Sequence, residues 1–400
     1  MNLTIFSKHF WPENFKINDV AIKLNKKINV RVFTSQPNYN LKFKRKYLKE
    51  KYFSGMKVNY FHSYYKKKNN FLNITIDYIF YIIYSTFKIN FFMKEKSDVV
   101  LTFATSPLFQ SIPAIYFAKM KKIPSVLWVQ DLWPEVLEDT GYIKNKFFIN
   151  FINYFVKKIY YNSDIILAQS DSFKKHLKRK YKIDKKIITL HQPSEFSFQD
   201  SSISKKKYTK IIYAGNFGNA QNFDTLIEAF KSGKINKKTK FFLIGNGKKI
   251  NEIKKKINLN NLNNFIKIKS YMNKNNLMKE FNSCSAFFIG LNDGKSLNKT
   301  IPGKFQTYLS FGKPIIICSN SFLNNIIKKN NIGFTSKIND IKSLVENINR
   351  ISVLKQSQKK KIYFSSKKLY EQNFEIDNIV NKLIKILYIA KRDYVKKILL

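Results

Sequence analysis

The chain has 400 residues, 44% hydrophobic and 16% aromatic, which excludes an intrinsically disordered protein and suits two cores of about 200 residues each. Its 68 lysines, five arginines and 26 acidic residues give a formal charge of +47. Arginine, whose planar fork reads bases and phosphates, is scarce, and lysine is spread along the whole sequence, so a nucleic-acid partner is not expected; a compositional lysine and asparagine bias and adhesion to an anionic membrane surface both account for the charge.

The opening MNLTIFSKHFWPEN has no basic stretch followed by a long apolar one, so no signal peptide is expected. Asn2 to Phe6 reads as the first strand and HFWPENF, His9 to Phe15, as the loop at its carboxyl end. Glu13 in that loop is a candidate catalytic carboxylate and Asn14 a candidate acceptor contact. Further strands are expected at 28–34, 57–62, 98–103, 125–129 and 164–168, separated mostly by stretches of helical spacing such as NDVAIKLNKK and PLFQSIPAIYFAKMKK. Alternating strand and helix argues for a parallel sheet covered on both faces, which binds ligands at the carboxyl ends of its strands. TSQPNY, Thr34 to Tyr39, and FATSP, Phe103 to Pro107, lie at such ends. Asn38 and Ser106 are candidate acceptor contacts there, with ordinary turn chemistry as the competing explanation.

FLNITIDYIFYIIYSTFKINFF, Phe71 to Phe92, is long enough to span a bilayer, but Asp77 and Lys88 interrupt it and no clean apolar run remains. A core helix and a helix lying at a membrane interface both fit it. WVQDLWPEVLEDTG then places Asp131 directly after an apolar strand, followed by Trp133 and Glu135. A carboxylate beside an indole suits sugar hydroxyls or general-base work, making Asp131 a catalytic candidate and Trp133 and Glu135 acceptor contacts; a helix cap is the bland alternative.

The polar stretch from His191 to Lys210 reads as a linker. After it the alternation restarts, with strands expected at 210–214, 240–245, 264–270, 285–291 and 314–319. Three loops follow strands of this half. Gly215, Asn216, Gly218 and Gln221 occupy the first, Gly247 and Lys248 the second, and Thr300, Ile301, Gly303 and Lys304 open a helix containing Thr307 in the third. Glycine turns that lead into helices present backbone N–H groups to phosphate, and three convergent loops point to a nucleotide pocket. Cys284 and Cys318 sit in apolar runs and read as buried reduced thiols of a cytosolic protein, not as a disulfide or zinc site. An amphipathic helix is expected at 374–390, able to cross back and brace the first domain. The domain reading is 1–195, 205–372 and the C-terminal segment 373–400.

YAGNFGNAQNFDTLIEAF, VQDLWPE and TIPGKFQTYLSFGKPII, with the FWPE and QPNY segments, together resemble family 4 glycosyltransferases of GT-B fold. More narrowly they resemble the O-antigen and capsule branch that includes N-acetyl-L-fucosamine transferases. The resemblance implies two tandem doubly wound α/β domains facing a cleft. It implies transfer of a sugar from a UDP-sugar with retention, needing no cofactor and no metal; the UDP-sugar is a co-substrate. The donor would contact Gly215, Asn216, Gly218, Gln221, Gly247, Lys248, Thr300, Ile301, Gly303, Lys304 and Thr307. The acceptor, an undecaprenyl-diphosphate-linked glycan, would lie on the first domain at the inner face of the cytoplasmic membrane.

The sequence departs from that family in places. Many members carry two glutamates separated by seven residues, where this chain has Lys299 and Thr307; an arginine and a lysine of the first donor loop are Asn216 and Gln221; and a His-Asp pair becomes Gln130-Asp131. Neutralising the diphosphate therefore falls mainly to Lys304, with Lys248 beside it. A sugar-nucleotide 2-epimerase of the same architecture and a basic nucleic-acid binder are the alternative readings.

Overall fold

β-branched and aromatic runs form the strands and amphipathic stretches the helices of the computed structural model, which describes residues 1–38, 48–64, 71–143, 145–200 and 208–399. The chain divides into two compact units, Met1–Pro193 with Ile376–Leu400, and Ser194–Glu375.

In chain order the first unit contains β1 (Asn2–Phe6), α1 (Lys16–Asn25), β2 (Asn29–Ser35), β3 (Glu50–Phe53), β4 (Met56–Phe61), α2 (Phe71–Lys88), β5 (Val99–Ala104) and α3 (Ile112–Met120). It continues with β6 (Ser125–Val129), α4 (Glu135–Asp139), α5 (Lys146–Tyr161), β7 (Ile165–Ala168), α6 (Asp171–Tyr181) and β8 (Lys186–Thr189). The strands form one sheet in the order β3-β4-β2-β1-β5-β6-β7-β8, parallel except for β3, which runs antiparallel to β4. Phe6 of β1 lies opposite Phe33 and Thr102 of its neighbours, so the loops after β1, β2, β5 and β6 share one edge of the sheet.

The second unit contains β9 (Thr209–Ala214), α7 (Asp224–Lys231), β10 (Thr239–Ile244), α8 (Ile250–Leu259), β11 (Ile266–Lys269), α9 (Lys274–Asn282) and β12 (Ala286–Gly290). It ends with α10 (Gly303–Leu309), β13 (Ile315–Cys318), α11 (Leu323–Lys329), β14 (Gly333–Ser336), α12 (Ile341–Val353) and α13 (Gln356–Asn373). Its strands are all parallel, in the order β11-β10-β9-β12-β13-β14. Both units are thus Rossmann-like α/β layers. Helix α14 (Ile376–Leu399) belongs to the first unit, where Ile379, Val380, Leu383 and Leu387 share a core with Val20 and Leu24 of α1 and Leu101 of β5. Lys23 and Lys391 pair with Asp377 and Asp98, each at 2.9 Å.

Several local expectations need correction. β3, β8 and β14 are strands that the sequence reading leaves out. All three are four-residue edge strands with little alternation, and edge pairing rather than pattern forms them. The supposed linker is partly core: Phe196 is buried against Phe281 and Phe311, and Phe198 packs on Tyr363 and Tyr370. Its residues 201–207, like Tyr39 of the TSQPNY loop, lie outside the described residues. Both cysteines are buried, and neither forms a disulfide among the described residues. Among the described residues no helix is long and apolar enough to cross a membrane.

Candidate functional site

In the second unit the three expected loops come together, and close backbone approach does it. Gly245 has φ +140°, and a Cβ there would lie 2.1 Å from the Gly215 carbonyl oxygen, so only glycine lets the β10 turn seat on the β9 turn. The Phe217 N–H donates to the Asn246 carbonyl at 2.9 Å, and the Lys249 N–H returns to the Phe217 carbonyl at 2.9 Å. The third loop is tied in by Tyr308 of α10, whose hydroxyl accepts from the Ala214 N–H at 2.7 Å. Asn292, after β12, donates to the Asn219 carbonyl at 2.6 Å and closes the far side of the β9 turn.

Lys304 lies across this cluster. Its Nζ stands 5.0 Å from the Tyr213 ring centroid, and a Cβ at Gly215 would come within 2.5 Å of its Cε and 3.0 Å of its Nζ. Among the described residues no carboxylate pairs with it, and burial pushes its ammonium down to about 8. The result is a buried cation held over a glycine turn, a setting that suits an anionic ligand. The neighbouring polar groups are arranged locally: Gln221 Oε1 accepts from the Gly218 N–H at 2.9 Å, Thr300 Oγ1 donates to the Ser296 carbonyl at 2.9 Å, and Thr307 Oγ1 to the Gly303 carbonyl at 3.2 Å. Asn216 and Lys248 are exposed on their turns, Gly247 packs against Phe217, and Ile301 is buried under the third loop.

The first unit holds a second cluster at the carboxyl edge of its sheet. Ser106 Oγ donates to Asp131 Oδ2 at 2.8 Å and accepts from Trp133 Nε1 at 3.0 Å, so three of the expected residues form one group. Burial raises the Asp131 carboxyl above its ordinary range, and the Ser106 hydrogen bonds only partly oppose it. Tyr78 of α2 joins this group to the first loop: its hydroxyl donates to the Ser106 carbonyl at 2.8 Å and lies 3.0 Å from His9 Nε2. His9 Nδ1 in turn faces Glu13 Oε2 at 3.5 Å. Burial lowers the His9 pKa, the Glu13 bond opposes that and the Lys8 charge adds to it, so the net effect favours the neutral ring.

Three of the expected acceptor residues stand differently. Asn38 donates to Asp77 Oδ1 at 2.8 Å, beside the buried Lys8–Asp77 pair at 2.9 Å. Glu135 accepts from His176 Nε2 at 2.7 Å and Lys180 Nζ at 2.6 Å; burial alone would raise its pKa, but the His176 hydrogen bond and the Lys180 charge hold it at about 2. Asn14 is exposed. His9, Tyr78, Tyr213 and Tyr308 are the participants that the sequence reading did not single out. Among the described residues no group of three or more His, Cys, Asp or Glu side chains is placed to hold a metal ion.

Residues 194–368 match the family of glycosyl transferases group 1. No curated protein matches the sequence. Among solved structures, a glycosyltransferase from Rickettsia africae is similar at a TM-score of 0.70 and 16% identity, covering 97% of this chain and 98% of its own. The sucrose-phosphate synthase of Thermosynechococcus elongatus reaches a TM-score of 0.74 at 12% identity, with 97% and 99% covered. Anabaena HepE in complex with UDP reaches 0.69 at 11% identity, with 97% and 100% covered. Residues 194–368 are similar to the glycosyl transferases group 1 family, and the chain shares the two-unit α/β fold of GT-B glycosyltransferase structures.

Proposed function

We propose that the protein is a glycosyltransferase that moves a sugar from a UDP-sugar to a lipid-linked glycan acceptor. The observation that carries this reading is Lys304, a buried ammonium held over Tyr213 and the Gly215 turn with no carboxylate paired to it among the described residues, where three strand-end loops of the second unit meet. The group 1 domain match and the UDP held by the structurally similar HepE support a nucleoside diphosphate as the anion.

In the reaction the bond between the sugar's anomeric carbon and the diphosphate oxygen breaks, and a bond from an acceptor hydroxyl oxygen to that carbon forms with net retention. The acceptor hydroxyl gives up its proton, and the diphosphate departs with the bonding electrons. Charge growing on the leaving group is opposed by Lys304, while the sugar passes through an oxocarbenium-like state. Asp131, held by Ser106, which Trp133 also contacts, orients the acceptor hydroxyl or the donor sugar, and Glu13, facing His9, is the second carboxylate assigned to proton transfer in this reading. No metal is assigned a role in this scheme, since Lys304 supplies the cation. The acceptor's class, an N-acetylated or deoxy sugar as the group moved, and a station on the inner face of the cytoplasmic membrane for surface polysaccharide synthesis come from the resemblance of the motifs described above.

Calorimetric titration with UDP, with GDP and single-stranded DNA as controls, tests the reading. Micromolar UDP binding that Lys304→Ala weakens is the expected result, with turnover of the variant lower by about 100-fold, as for loss of one stabilising donor. Absence of UDP binding together with salt-sensitive DNA binding would overturn it.

A further inference from the structure

Helices α2 and α5 lie on the same face of the first sheet. Between them sits α3 with the short turn of helix at Leu108–Ser111 that leads into it; α2 packs on both, and Phe109 of the turn meets Phe155 of α5 at 6.5 Å. Both helices turn an apolar stripe to water. On α2 it is Leu72, Ile76, Ile79, Phe80, Ile83 and Phe87, in three- and four-residue steps, with Ile83 67% exposed. On α5 it is Phe147, Phe148, Phe151, Tyr154 and Phe155, with Phe147 74% exposed. The opposite faces are fully engaged: Tyr81 and Ser85 of α2 and Val156 and Tyr160 of α5 are buried.

Charge distinguishes what covers such stripes. Helix α5 has no acidic residue, and the one carboxylate of α2, Asp77, is buried against Lys8. Neither stripe therefore presents a negative charge. Lysines stand at the helix ends instead, Lys146 before Phe147, Lys157 and Lys158 after Phe155, and Lys88 after Phe87. Lys158 lies 4.4 Å over the Tyr154 ring and Lys88 4.7 Å over Phe91. Aromatic and branched side chains at headgroup depth, with ammonium groups level with the phosphates, are the physical pattern of a helix lying in an anionic interface.

We infer that α2 and α5 together form a docking face for an anionic lipid bilayer, with α5 contributing the larger aromatic share. The inference rests on the proposed lipid-linked acceptor for its purpose, and it adds a link to the site. The inner face of α2 carries Asp77 and Tyr78, which hold Lys8, His9 and Ser106, and Ser106 holds Asp131. Docking through α2 thus sets the height of the Asp131 cluster above the lipid.

Co-sedimentation of the full chain with phosphatidylcholine vesicles, with and without phosphatidylglycerol, tests the docking face. Two pairs of exposed substitutions, Ile79→Ser with Ile83→Ser and Phe147→Ser with Phe151→Ser, are read alongside UDP affinity and circular dichroism as controls for folding. Expected is binding that needs phosphatidylglycerol and falls by about tenfold for each pair, with UDP affinity unchanged. Vesicle binding lost by the variants in a protein that binds no UDP would support the docking face while sinking the glycosyltransferase reading. Failure of the wild type to bind anionic vesicles, or variants that bind as it does, would overturn the inference. So would a dimer that the substitutions split to monomers without any vesicle binding.

Discussion

Lys304 carries its charge at a cost that the ligand removes. Its ammonium is held at about 8 by burial, and a bound diphosphate raises that value by favouring the charged form. Affinity for the proposed ligand UDP should therefore change little between about pH 7 and about pH 8, where the free protein holds the Lys304 proton and the terminal phosphate is ionised, and fall above that by up to tenfold per pH unit until the bound-state value is reached. Lys304→Arg should abolish this slope, because a guanidinium stays charged throughout. UDP titrations at about pH 7 and about pH 9 on both proteins check it, and equal slopes would assign the pH dependence elsewhere. Lys304 and the glycine turns were legible in the sequence, because a glycine directly after an apolar strand has few explanations other than a turn. Tyr213, Tyr308 and Tyr78 were not, since a tyrosine within an apolar run reads as core until its hydroxyl finds a partner at 2.6 Å on Asn216, 2.7 Å on Ala214 or 2.8 Å on Ser106. His9 was hidden likewise, being one residue of an aromatic loop whose carboxylate drew attention first.

At the scale of the element, α2 shows how one polar residue changes the meaning of an apolar run. Asp77 looks like an interruption, yet it is fully buried, 2.9 Å from Lys8 and within reach of Asn38. The interior pair fixes the helix's rotation: Asp77, Tyr78 and Tyr81 turn inward, and the apolar stripe turns out. Removing one partner strands a charge in the core. Lys8→Met alone should cost about 3–5 kcal/mol in chemical denaturation, whereas Lys8→Met with Asp77→Leu should recover most of that loss. If the double variant were as unstable as the single one, the pair would not be what orients the helix. Central strands of both sheets were readable to within about two residues, because burial on both faces demands continuous β-branched and aromatic runs. Edge strands β3, β8 and β14 escaped because GFTS and EKYF carry no such run; pairing with a finished neighbour makes them strands.

For the whole molecule, the two sheets were predictable from the restart of alternation after residue 210, while the buried segment around Phe196 was not, its Ser and Gln neighbours outweighing one aromatic ring. The weight of α14 in the first unit is large. Ile379, Val380, Leu383, Ile386 and Leu387 are buried against α1 and the sheet, and at about 1.5–3 kcal/mol for each buried side chain they contribute as much as the net stability of an ordinary domain. A chain ending at Glu375 should lose the cooperative thermal unfolding of the first unit and keep UDP binding by the second; calorimetry with and without UDP would show it, and an unchanged first transition would refute it. The same helix governs the order of events on the ribosome. Domains usually fold as they emerge, amino-terminal first, but here the nascent first unit lacks the part of its core that α14 supplies beside α1, and Ser194–Glu375 must be made before α14 arrives. The second unit's residues are thus all made before the first unit's core can close, and until α14 emerges the amino-terminal segment carries apolar surface that only α14 covers.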